Sequence, residues 1–134
     1  ILKIINLAEN YKLSELIDSC LTKDKKKIIN SLNDSNYSAE ESITILRTFL
    51  FKAKRILKLA TELQRNHDIN KTVNSARPPI FWKDKEVVKV QLIKWKPKEI
   101  KELIKNINNV ELEIKKSYNN SMLIVTDFVL EKSH

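Results

Sequence analysis

Glycine is absent from this 134-residue chain. Tight hairpin turns lean on glycine for positive backbone angles, so the absence argues against a strand-rich fold and for helices joined by Asn, Ser and Pro. It also excludes a Walker-type phosphate loop, which is built on glycines. A nucleotide-driven machine containing this chain would bind its nucleotide elsewhere.

Reactive side chains are scarce. The only cysteine is Cys20, so no internal disulfide forms, which fits a reducing cytoplasm. The two histidines, His67 and His134, stand far from each other and from Cys20 in sequence, and nucleophilic catalysis needs a base and an orienting partner beside the nucleophile. One Cys and two scattered His give no zinc spacing and no facial triad. The sequence therefore predicts no catalytic residue, no metal site and no cofactor.

The carboxylates have local explanations. Glu15 with Asp18, and Glu99 with Glu102, are expected in first helical turns, where the helix dipole favours negative charge. Glu111 and Lys115 are spaced for an i, i+4 ion pair worth about 0.2–0.5 kcal/mol. No apolar run approaches the roughly 18 residues of a membrane span, and no signal peptide opens the chain. The chain begins at Ile1 and its one methionine is Met122, as expected of a piece excised from a longer protein.

What is present is a positive balance, +8 at neutral pH, with 42% hydrophobic and 31% charged residues. These fractions belong to ordered globular proteins, and a chain of this length fits one domain burying roughly two thirds of its unfolded surface. The 25 basic residues are 21 lysines and 4 arginines. Such a surface suits contact with phosphate or another anion. It equally suits the Lys-, Asn- and Ile-rich bias of an A+T-rich genome.

The apolar pattern is helical. Leu13, Leu16, Ile17 and Cys20 share one helix face. Asp24 is placed to cap a second helix with Ile28, Ile29 and Leu32 inward. Ser38 and Glu41 form a capping box opening the longest helix, about residues 39 to 65. Its inward stripe is Leu46, Phe49, Leu50, Ala53, Leu57, Ala60 and Leu63. On the opposite face Arg47, Lys54, Lys58 and Arg65 fall within about 20° of one line, a basic ridge about 27 Å long.

After a polar connection, with a short helical turn around residues 71–75, Pro78 and Pro79 break the chain. "KDKEVVKVQLIKW" keeps helical spacing at Val88, Leu92 and Trp95. The two tryptophans, Trp82 and Trp95, are expected to anchor its two ends. Pro97 fits the first position of a further helix, with Ile100, Leu103, Ile104, Ile107 and Ile114 buried. A last apolar helix follows Ser121, with Leu123, Ile124, Phe128 and Val129 as packing residues. The fold class is all-α, a compact bundle of about five main helices.

The order of three motifs resembles the C-terminal domain of the DNA polymerase III delta subunit family. The first is Ile45, Leu46, Arg47, Leu50, Arg55 and Leu59 on the long helix. The second is Pro78, Pro79, Phe81, Trp82 and Lys83, leading to Gln91, Leu92 and Trp95. The third is Val110, Glu111, Leu112, Glu113, Ile114 and Lys115. Together they span about residues 13 to 130. Two turns depart from the pattern: the loop before the long helix lacks its usual glycine, and Lys96 stands where a capping serine is common.

The resemblance implies a collar domain of the bacterial clamp loader over residues 13–134, with residues 1–12 the tail of a middle, AAA+ lid-like domain. It implies a cytoplasmic, non-catalytic module assembling with the tau or gamma and delta prime subunits. The sliding clamp would be engaged through N-terminal domains outside this chain. DNA would be met indirectly or weakly, and no membrane is involved. The alternative is a basic helical module that binds nucleic-acid phosphates directly through Arg47, Lys54, Lys58 and Arg65.

Overall fold

The computed structural model describes residues 2–34 and 37–133, with side chains from residue 11 onward. Part of the expected loop before the long helix, residues 35–36, and His134 lie outside the described residues. Among the described residues the chain is all-helical, with seven α-helices and no strand: α1 (Leu2–Leu21), α2 (Lys25–Asp34), α3 (Ala39–Asn66), α4 (Ile69–Asn74), α5 (Lys85–Lys94), α6 (Pro97–Lys116) and α7 (Ser121–Lys132). Single 3-10 turns, Trp82–Asp84 and Tyr118–Asn120, lead into α5 and α7. No described helix is long and apolar enough to cross a membrane.

The helix ends follow local chemistry. At α3 the Ser38 N–H donates to Glu41 Oε1 at 3.0 Å and the Glu41 N–H to Ser38 Oγ at 3.3 Å, so the capping box is closed. Asp24 caps α2 through the Lys27 N–H at 3.2 Å. Pro97 opens α6, where its missing N–H is no loss. Lys96 has no side-chain acceptor to offer, so only half a box forms there, with the Lys96 N–H donating to Glu99 Oε1 at 2.8 Å.

Without glycine, the positive-φ positions that close helices fall to larger residues. Lys23 (φ 60°) ends α1 and His67 (φ 56°) ends α3. Around Lys23 the Asp24 N–H reaches back to the Ser19 carbonyl at 2.9 Å and the Lys23 N–H to the Cys20 carbonyl at 3.0 Å, the paired bonds of a Schellman cap.

α3 lies at the centre, touching every other helix except α2 and packing most extensively on α6. Its middle buries Ile45, Leu46, Phe49, Ala53 and Ile56 into one core shared by the bundle. Phe49 meets Phe128 of α7 with ring centroids 5.9 Å apart.

The expected stripe needs correcting: Leu50, Leu57 and Leu63 are only half-buried, and Ile45, Ile56 and Leu59 take the deeper places. Helices on several sides widen the buried arc beyond one line of side chains. Ile29 of α2 is exposed, because only Ile28 faces the core directly. In α7 Leu123 is 63% exposed while Val125 is fully buried. α1 runs without a break through residues 12 and 13; among the described side chains Tyr11 and Lys12 are exposed and Leu13 is buried.

Candidate functional site

The proline–aromatic segment divides its two tryptophans between opposite tasks. Trp95 is buried, and its Nε1–H donates to the Leu21 carbonyl at 2.7 Å. That carbonyl belongs to the last turn of α1, where intrahelical donors have run out. Lys23 Nζ lies 4.3 Å from the Trp95 ring centroid, a cation–π contact on the same helix end.

One turn earlier in α5, the Gln91 Nε2 donates to the Asp18 carbonyl at 3.3 Å and to Asp18 Oδ1 at 3.2 Å. Gln91 and Trp95 are four residues apart and so project from one side of the α5 end, and both grip the C-terminal turns of α1. Leu92 between them is buried, as expected. The pattern "QL..W" is thus a clasp that ties α5 to α1.

Trp82 does not anchor the other end. It is 69% exposed, beside Phe81 at 58%, with ring centroids 6.0 Å apart and Lys83 Nζ 5.5 Å from the Trp82 ring. The chain leaving the prolines is held instead by Ile80, which is buried. Pro78 and Pro79 are exposed, and the Arg77–Pro78 peptide bond is cis. The segment has no helical period before residue 82, so nothing in its spacing distinguishes Ile80 from Trp82.

Glu15 and Asp18 lie in the last turns of α1, not in the expected first turn. Asp18 Oδ1 accepts from Lys52 Nζ of α3 at 2.9 Å as well as from Gln91, so it joins α1, α3 and α5. Both partners of the ion pair are largely shielded, with side-chain exposures of 11% for Lys52 and 23% for Asp18. Glu99 does sit in the first turn of α6, with Glu102 a turn further on.

The basic ridge on α3 is solvent-exposed at Arg47, Lys54, Lys58 and Arg65, but much of its charge is engaged. Arg47 Nε is 3.8 Å from Glu111 Oε1 of α6, and Arg65 pairs with Glu62 one turn back. Lys58 Nζ donates to the Arg77 carbonyl at 2.8 Å. Among the described residues only Lys54 of the four lacks a partner. Glu111 faces α3 rather than Lys115, so the expected local pair is replaced by one between helices. Phe51, also on this side of α3, is 62% exposed.

Cys20 is fully buried, its Sγ 3.7 Å from the Val129 carbonyl that it faces as donor. Burial pushes the thiol up to about 12, against a weak downward pull from Lys23, so it stays protonated and poorly nucleophilic. His67 is exposed at the end of α3. Among the described residues no three His, Cys, Asp or Glu side chains cluster to hold a metal. Compared with known proteins, the chain matches no family model, no curated protein and no solved structure.

Proposed function

We propose that this chain is the collar domain of a clamp loader delta subunit, a cytoplasmic assembly module with no chemistry of its own. The observation that carries the reading is the order of the three motifs over residues 13 to 130. Each motif has a physical task in an all-helical bundle. The first supplies the central helix, the second the clasp of Gln91 and Trp95 on α1, and the third the Arg47–Glu111 bridge between α3 and α6.

The exposed neighbours Phe81 and Trp82 suit a subunit contact, since aromatic side chains with large exposed area are favoured anchors of interfaces. The mechanism is positional. The module would fix its subunit in the ring with tau or gamma and delta prime, so that ATP-driven motion of the neighbours acts on the clamp through domains outside this chain. Mixing those subunits with full-length delta, and with a form lacking residues 13–134, tests it. Assembly of the complete complex should fail without the module, and equal assembly by both forms overturns the reading.

A direct nucleic-acid contact is the second reading, favoured by exposed Phe51 beside unpaired Lys54. With Arg47 and Arg65 paired to carboxylates and Lys58 on the Arg77 carbonyl, Lys54 is the ridge cation left for phosphates. Affinity should then fall by roughly 0.7–0.9 log units per log unit of salt for each phosphate engaged. No binding at low salt eliminates it.

A further inference from the structure

The C-terminal ends of α3 and α5 and the first turn of α6 meet around an open cleft of about 700 Å3. Its walls are mainly apolar, with Leu63, Ile93, Trp95 and Pro97 among them, and His67 and Lys96 stand at its polar edge. Ile93 is 75% exposed, the most exposed large apolar side chain among the described residues. Nothing in the bundle's own packing requires it there, because Val88, Leu92 and Trp95 already fill the buried side of α5 and its end.

The charge around the cleft is one-sided. No carboxylate lines it. Three acids near it in sequence have local partners, and Glu102 lies in a neighbouring hollow with Lys98. Glu62 pairs with Arg65, Glu99 accepts the Lys96 N–H at 2.8 Å, and Asp68 accepts the Lys71 N–H at 3.1 Å. Lys96, which lines the cleft between Trp95 and Pro97, forms no ion pair among the described residues. An apolar trough with Lys96 and His67 at its edge and no carboxylate in its lining complements a segment with an apolar ridge and carboxylates beside it.

We propose that this cleft docks an acidic amphipathic segment of a partner protein. One or two large apolar side chains seat against Ile93 and Leu63 over the edge of Trp95, and a flanking carboxylate meets Lys96. A second copy of this chain fits poorly, because its net charge is +8. A nucleic-acid strand fits poorly as well, because the Trp95 ring is buried and Ile93 offers no face for a base. The proposal rests on the lining and charge of the cleft and does not depend on the collar reading.

The experiment uses the whole chain and three dye-labelled helical peptides, read by fluorescence polarisation at low and physiological salt. One peptide has a leucine ridge with glutamates elsewhere, the second the same ridge with lysines, and the third the glutamates with serines in place of the leucines. The first should bind about tenfold or more tighter than either of the others. Ile93→Asp should weaken it about tenfold, with an unchanged melting curve because Ile93 is exposed. Lys96→Glu should shift preference toward the lysine peptide. Phe81→Ser combined with Trp82→Ser, at the other aromatic patch, should leave binding unchanged.

Equal binding of the first and third peptides would show a response to charge alone and overturn the proposal. So would indifference to Ile93→Asp, loss in the Phe81/Trp82 variant equal to that in Ile93→Asp, or no binding of the first peptide. None of these outcomes bears on clamp loader assembly, which is read separately.

Discussion

The indole N–H of Trp95 reaches the carbonyl of Leu21 at 2.7 Å, joining residues 74 apart in the chain. The bond satisfies a helix-end carbonyl with a donor from a different helix, and it makes the two tryptophans experimentally separable. Trp95→Phe keeps a ring but leaves that carbonyl without its donor, which should lower stability by about 1–3 kcal/mol in urea denaturation. Trp82→Phe, at an exposed site, should stay within about 0.5 kcal/mol of the parent. Equal effects would contradict the division of labour between them.

Asp18 is the second test of the α1 attachment. Asp18→Asn keeps the shape of the side chain but strips the partner from Lys52, whose side chain is only 11% exposed. A loss of about 1–3 kcal/mol is expected, the penalty for stranding a shielded charge. In a double-mutant cycle Lys52→Met should recover part of that loss. Strict additivity would mean that the pair is weakly coupled.

The glycine-free helix ends leave room for improvement. His67→Gly removes the strain of a side chain at φ 56° and should stabilise by about 1 kcal/mol. Lys96→Ser would supply the N-cap acceptor that α6 lacks, again for about 1 kcal/mol. Each should raise the melting temperature by roughly 3–5 °C in calorimetry. The two positions are on different helices, so near-additive gains are expected in the double variant.

Cys20 should resist Ellman's reagent at pH 8 in the folded chain and react once urea exposes it, because burial holds the thiol at about 12. The same shift sets a direction for pH. The unfolded thiol ionises near 9.0 and the folded one does not, so this group's contribution to stability is intact below 9.0 and is lost as pH rises toward about 12. Fast labelling of the native protein would place the thiol in contact with solvent.

Features governed by neighbours along the chain were legible in the sequence. Ser38 and Glu41 announced the start of α3, Pro97 that of α6, and the spacing of Val88, Leu92 and Trp95 the buried side of α5. Features decided across helices were not. Glu111 has Lys115 at the favoured local spacing, yet Arg47 meets it because α3 and α6 pack together, and no local rule contains that information. α7 is apolar nearly all round, so no stripe separated exposed Leu123 from buried Val125. The aromatic identity shared by Trp82 and Trp95 likewise says nothing of which ring goes inside.

The central place of α3 has a kinetic meaning. A helix that starts from its own capping box and then collects α1, α4, α5, α6 and α7 is suited to be the nucleus on which the others condense. Stopped-flow refolding followed by Trp95 emission should show Phe49→Leu slowing the folding limb, whereas Leu123→Ala at the exposed side of α7 leaves it unchanged. Order of assembly would then be written into the same helix that fixes the final packing.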